Sequence, residues 1–489
     1  MNQVRNVARK LAATVLLASA GLTSFLASGQ SSPAPVDAFV YGLSYDPRVL
    51  LATRENGATE ALPGREGDGN KVIICTNKTR DLTKELSEVT ILSPVTGVVF
   101  PGALVRANRN LADGKPDAIT LPRSAITLRI DLPGMGNAGT ITVDNPTNSS
   151  VQGAIDEALK AWLNKGTSFE NAARSKLEVK KGFSTQQLAL ELGFNSKWAE
   201  NEITSHMDVK NNSKRTTSML LFKQIFYSVT MDLPQKPSQV WAPSVDLGEV
   251  RQVLNAGNPP AYIRSVDYGR IILVRMDTNS AQTSADVEGT LKYVTTGGAE
   301  FDSETKNKFE KISRESTFTV MTLGGNAKIA ANITGEQAKA SLDAIRKGAV
   351  FGKNNAGYPI AYTVAFLKDH QFAKMAFSTS YNEAECTEYN NGFVRVKHDG
   401  GYVGKFKVVW SEGGAPKQWE SGETTSGYQY TLPLPGDAKG VQLQAWGATG
   451  LVWEPWREAM NRVENGPTNK CYRITGTTLA PGWDYSCPN

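Results

Sequence analysis

Histidine is scarce in this chain: His206, His370 and His398 are the only three in 489 residues, and no two stand at metal-ligand spacing. There is no HExxH and no CxxC, and the glycine-rich GREGDGNK lacks the spacing of a phosphate-binding P-loop. Enzyme chemistry has no foothold, so no catalytic residue, metal ligand or cofactor is assigned. Each histidine reads as a surface or turn residue, and the paired acids Glu383 and Glu385 as solvated charges. Dense Lys/Arg tracts are missing too, and the formal charge of +5 is small for this length, which argues against a nucleic-acid partner. Beyond the first thirty residues there is no run of 18 apolar residues, so no membrane-spanning helix is expected.

What is present is a globular mixture, 40% apolar and 21% charged, in a chain too long for one core. The first 29 residues join a basic start, MNQVRNVARK, to an apolar stretch and small residues at Ala27 and Gly29, the pattern of an export signal. A flexible leader, SSPAPVD, follows. Export permits disulfides, and of the four cysteines Cys471 and Cys487 are near enough in sequence to close a short loop, a bridge that would stabilise by roughly 3 kcal/mol. Cys75 and Cys386 read equally well as isolated thiols.

Residues 36–180 read as short strands punctuated by Pro and Gly, with one amphipathic helix, GAIDEALKAWLN, from Gly153. Alternating strands such as FKQIFYSVTM and GRIILVRMDT are expected in the middle. The last 98 residues hold six of the nine tryptophans among short strands such as YVGKFKVVW, the pattern of a separate β-sandwich. Three of the six, Trp446, Trp453 and Trp456, crowd in or beside GATGLVWEPWR, where indoles suit either a core or a water–lipid boundary.

Two middle stretches satisfy two periodicities at once. Leu188, Leu190, Leu192, Phe194 and Trp198 share the even parity and, after Glu200-Asn201-Glu202, the alternation resumes on the odd one with Ile203, Met207 and Val209, with charges on the other side in both. Leu188, Leu192, Ala199 and Ile203 also lie near one face of a helix. From 285 to 293 the odd positions, including Val287, Leu291 and Tyr293, carry no charge, and from 301 to 310 every even position is charged and no odd one is. Each segment has about ten residues, the length of a tilted strand crossing a bilayer.

In these residues the chain resembles the cholesterol-dependent, or thiol-activated, cytolysins across roughly residues 40–489. The match runs through FPGALV, DLPGM, VDNPTNSS, FKQIFYSV, YGRIILV, FTVMTLGG, YPIAYTVAFLKD, the undecapeptide GATGLVWEPWR and TGTTLAP. The resemblance implies an α+β, β-rich, elongated four-domain protein: a twisted antiparallel core sheet flanked by helical bundles, and a C-terminal β-sandwich. After the signal peptide (1–29), residues 30–70 would be the leader and start of domain 1. Domain 2 would be 71–99 with 378–391. Domain 1 continues as 100–180, 233–271 and 353–377, domain 3 is 181–232 with 272–352, and domain 4 is 392–489. Such a protein is a secreted toxin that binds cholesterol in a host-cell membrane through domain 4, forms a homo-oligomeric ring and refolds two helical bundles of domain 3 into transmembrane hairpins.

By position the resemblance assigns cholesterol binding to Thr478 and Leu479, and coupling of membrane contact to assembly to Arg457. It assigns a neighbouring tip loop to HDGGYV (398–403), and the ring-forming strand and its bend to Phe318, Gly324 and Gly325. The undecapeptide, Gly447, Ala448, Thr449, Gly450, Leu451, Val452, Trp453, Glu454, Pro455, Trp456 and Arg457, departs from the common ECTGLAWEWWR. Without the usual cysteine, at Ala448, thiol oxidants have no target in this loop. Pro455 replaces a tryptophan, as in intermedilysin and vaginolysin, members that can use the protein receptor CD59; their Tyr-x-Tyr is matched by Tyr428 and Tyr430, but Ala445-Trp446 stand in place of the Arg-Ser that follows it. Leu177 and Val179 replace a tyrosine and a glutamate used between subunits in the family.

Overall fold

The computed structural model describes residues 35–486 apart from 58, 94–96, 165–172, 200, 210–211, 213–214, 280–283, 297–298, 325–327, 348 and 354. The export signal, Gly325 and Cys487 therefore lie outside the described residues.

Four strands organise the molecule. Arg174–Lys181, Thr216–Met231, Pro260–Thr278 and Ser316–Leu323 stand side by side in that order, each antiparallel to the next, within a sheet of 11 strands among the described residues. FKQIFYSVTM and GRIILVRMDT prove to be parts of much longer strands, of 16 and 19 residues. They show little alternation because both faces are covered. Odd-numbered Met219, Leu221, Ile271, Leu273 and Met321 enter the main core, while even-numbered Leu220, Ile272, Val274, Phe318 and Val320 enter a second core.

Both ambivalent stretches are helical here. The first forms a helix at Thr185–Glu191, a short 3-10 turn at Ser196–Trp198 and a helix at Asn201–Met207. Its start is a reciprocal cap: the Ser184 hydroxyl accepts from the Gln187 N–H (3.0 Å) and the Gln187 amide oxygen from the Ser184 N–H (3.4 Å). Gly193, at φ +88°, interrupts the helical run. Leu188, Leu190, Leu192, Phe194, Trp198, Ile203 and Met207 are buried in the main core, and Val209 is half-buried beside it. Trp198 anchors the segment: its indole N–H donates to Ala112 O (3.1 Å) and its ring meets Phe377 edge-on at 5.9 Å.

The second stretch forms helices Ser284–Thr296 and Ser303–Arg314, the latter capped by Asp302, whose carboxylate accepts from the Thr305 N–H at 2.9 Å. Val287, Leu291 and Tyr293 are buried with Phe309 in the second core. The helices approach closely because residue 289 is glycine; a Cβ there would lie 2.2 Å from the Phe309 ring.

The region 36–180 departs from the expected run of short strands: Lys71–Leu86 is one strand of 16 residues, and the helix begins at Asn148, before Gly153, and ends at Asn164. Lys71–Leu86 pairs along its whole length with Met375–Asn390, where Cys75 and Cys386 are opposite one another and joined by a disulfide. They are not isolated thiols; two strands 311 residues apart in sequence bring them together. Cys471 is also disulfide-bonded, and Cys487, its expected partner, lies outside the described residues. Nor are Glu383 and Glu385 simply solvated: they pair with Arg80 and with the buried Lys181.

Past Asn390 the chain enters two facing sheets, each of four strands among the described residues. One holds Gln429–Leu434, Gly392–His398, Lys470–Gly476 and Pro481–Asp484, the other Ala415–Thr424, Gly404–Glu412, Lys439–Leu451 and Glu454–Glu464. Their inner faces share a separate core around Val396, Phe406, Leu443 and Tyr472. Arg65 ties this sandwich to the long strand pair, reaching Asp437 at 2.9 and 3.0 Å and Glu412 at 3.0 Å.

Candidate functional site

One end of the sandwich gathers three loops. The undecapeptide is the end of a hairpin between Lys439–Leu451 and Glu454–Glu464, with Ala448 opposite Trp456 and Leu451 opposite Glu454. The Thr449 hydroxyl braces it by donating to Glu454 O and accepting from the Leu451 N–H (3.0 Å), and Gly450 supplies a φ of +76°. At the turn Val452 is 94% and Trp453 81% exposed. The other two indoles are not presented in this way. Trp446 and Trp456 are half-buried around Lys405, whose ammonium lies 5.7 and 4.1 Å from their ring centres, an arrangement favourable for cation–π attraction.

Thr478 and Leu479 occupy the neighbouring turn, closed by Thr477 N–H to Ala480 O (3.2 Å) and Ala480 N–H to Thr477 O (3.1 Å). Leu479 is 79% exposed and Thr478 half-buried. Arg457 joins the two loops. Its guanidinium donates to Leu479 O (2.9 Å) and makes two bonds, 3.0 and 2.8 Å, to Glu454, whose carboxyl it holds below the usual range. The third loop, 398–403, is hydrogen-bonded to both neighbours, through Ala448 N–H to Val403 O (2.7 Å) and Gly401 N–H to Gly476 O (2.9 Å). Lys405 escaped sequence reasoning, because its place between two indoles depends on strand pairing that local pattern does not reveal.

His398, expected at the surface or in a turn, is completely buried at the foot of the third loop. Nδ1 lies 3.1 Å from the Thr424 hydroxyl, and Nε2 has no hydrogen-bond partner among the described residues. Burial holds the imidazole below its ordinary pKa of 6.5. The unfolded chain therefore binds a proton more readily, so this group leaves stability untouched above the ordinary value and lowers it as pH falls below. Urea melts at about pH 7.5 and about pH 5 should show a larger loss for the wild type than for His398→Asn. Equal losses would remove His398 from the pH response.

The residues matched to ring formation lie elsewhere, on the large sheet. Phe318 is buried in the second core opposite Ile333 of the outer strand Lys328–Ile333. Gly324 follows at φ +81°, where a Cβ would come within 2.9 Å of Gly269 O, so backbone conformation and space both require glycine. Leu177 is exposed and Val179 half-buried on Arg174–Lys181, which among the described residues pairs only with Thr216–Met231.

Residues 35–389 match the family model for the thiol-activated cytolysins, and residues 393–482 that for the thiol-activated cytolysin beta sandwich domain. Tetanolysin of Clostridium tetani is 33% identical over 463 residues, 91% of this chain and 86% of tetanolysin. Perfringolysin O of Clostridium perfringens is 32% identical over 464 residues, 91% of each chain. The crystal structure of listeriolysin O resembles this one with a TM-score of 0.79 at 28% identity, over 93% of this chain and 96% of listeriolysin O. Sheet, helices and sandwich are all covered by these matches, and the chain belongs to the thiol-activated cytolysin family.

Proposed function

We propose that this cytolysin leaves the cell by its first 29 residues, binds cholesterol in a host-cell membrane through residues 392–489, assembles into a ring and opens a β-barrel pore built from 181–232 and 272–352. Its family consists of pore-forming toxins, which are not enzymes. The proposal rests on strand register. Each ladder can be continued one residue at a time beyond its last pair. Lys181 faces Ser218, so Leu190 comes opposite Val209, Leu192 opposite Met207 and Ser196 opposite Ile203. Thr278 faces Ser316, so Val287 comes opposite Asn307, Leu291 opposite Ser303 and Tyr293 opposite Phe301. Thr216 faces Thr278, so Val209 comes opposite Ala285 and Met207 opposite Val287.

Opposed residues share a face of a sheet. All four charge-free rows therefore fall on one side of the extended sheet, and a slip of one residue at any joint would put charges among them. Glu191, Lys197, Asp208, Glu288, Lys292, Glu304 and Lys308 fall on the other side, which would line water. Such strands at lipid depth need every backbone group paired around a closed barrel, so insertion has to follow ring assembly.

At the tip, the Thr478 hydroxyl would bond the sterol hydroxyl while Leu479 packs on the rings, and Trp453 would sit at the water–lipid boundary. Pro455 gives the undecapeptide the form of members that use CD59. Of the matching tyrosines, however, only Tyr430 is exposed, stacked on Trp419 at 4.8 Å; Tyr428 packs on Phe406, and Ala445 is buried. Direct sterol recognition is therefore the route proposed. Dye release from protein-free liposomes should occur with cholesterol in the bilayer and not without it. Binding without release would favour a non-lytic recognition protein, and lysis only of CD59-bearing membranes would replace the sterol route.

A further inference from the structure

We propose that Tyr402 is a positioning residue that couples the undecapeptide hairpin to the turn bearing Thr478 and Leu479, an inference that rests on the sterol-binding reading above. Its ring lies between two glycines. A Cβ built on Gly447 would be 2.7 Å from the ring, and one on Gly400 would be 2.3 Å from it. The ring thus fits against backbone at both places, and it is only 7% exposed. Its hydroxyl donates to Thr475 O at 3.0 Å, and the His398 ring is 5.0 Å away, centre to centre. One rigid side chain therefore touches the base of the hairpin at Gly447 and the strand that leads, three residues later, into Thr478.

The main-chain bonds from Val403 and Gly401 fix where the loop runs, but each reaches only one neighbour. Tyr402 reaches both. Arg457 also bridges hairpin and turn, but its side chain is 34% exposed and open to competition from water and lipid phosphate. The Tyr402 contact is enclosed, so a shift of the hairpin as Trp453 meets lipid must displace the ring or carry Thr475 with it. Gly447 is the condition for this, because any side chain there claims the space of the ring. The glycine in place of the usual glutamate is thus part of how this tip transmits contact.

The test uses full-length protein and liposomes of graded cholesterol content, with binding by sedimentation and lysis per bound molecule read separately. Gly447→Ala should still fold, with a melting transition lowered by the overpacking at the ring, while half-maximal binding moves to higher cholesterol and apparent affinity falls about fivefold or more. Tyr402→Phe, which keeps the ring and loses the hydroxyl bond, should lie between wild type and Tyr402→Ala. Because Tyr402→Ala removes the crowding at residue 447, the double variant Gly447→Ala/Tyr402→Ala should be no worse than Tyr402→Ala alone. Wild-type cholesterol thresholds in both Gly447→Ala and Tyr402→Phe would overturn the proposal even if Tyr402→Ala failed to fold, as would simple addition of the two alanine effects. A variant with glycine at 478 and 479 serves as the reference arm. If it still binds, the sterol assignment is what has failed; if it alone loses binding, only the coupling has.

Discussion

Thr478→Gly combined with Leu479→Gly is expected to weaken binding to cholesterol-rich liposomes by about thirtyfold or more, while leaving the soluble protein folded. Leu479 is 79% exposed, so in water its loss deletes almost no packing. Against a sterol the same side chain would be covered, which is worth about 1.5–3 kcal/mol. A hydroxyl-to-hydroxyl bond adds about 0.5–1.5 kcal/mol. Together these make roughly 2–4.5 kcal/mol, or between about thirtyfold and two thousandfold in affinity. Arg457 bonds the backbone of residue 479, which glycine retains, so the link to the hairpin should survive. Liposome sedimentation and a thermal melt together decide the matter: retained binding would take sterol recognition away from this turn, and a lowered melt would show a structural effect instead.

The second large effect is a lock. A Cβ on Gly182 would lie 2.9 Å from a methyl of Val209, so Gly182→Cys with Val209→Cys places two sulfurs within bonding reach in the soluble form. In the extended register Val209 lies opposite Leu190, eight residues beyond Gly182 along its strand, about 26 Å away at the usual rise. No disulfide spans that distance. The oxidised variant should bind membranes and form rings yet release essentially no dye, and reductant should restore release. Wild-type protein under the same reductant controls for the native Cys75–Cys386 bridge. Leakage from the oxidised variant would mean that residues 187–213 do not line the pore.

Much of this protein was legible in its sequence. The parity of charges in 188–209 and 285–310 is a local property, and the undecapeptide, the Thr478-Leu479 pair and the glycine at 324 stand out as motifs. Other features were hidden because they depend on which distant segments meet. The burial of His398 comes from the packing of Tyr402 and Phe406 against it. The pairing of Cys75 with Cys386 follows from a 16-residue ladder between strands far apart in the chain. Of three neighbouring indoles only Trp453 projects, because Val452 and Trp453 form the turn while Trp446 and Trp456 lie on paired strands beside Lys405.

By itself the sequence determined that two stretches could be either helix or strand, since periods of 3.6 and 2.0 are both written into the order of neighbouring side chains. It could not choose between them. Tertiary structure made the choice: the main core and the second core each offer a surface on which the large apolar members of those rows are buried as helices, and burial outweighs local propensity. Only the ladders, built from pairings between distant residues, set a register in which those same rows would meet on one face if the helices opened.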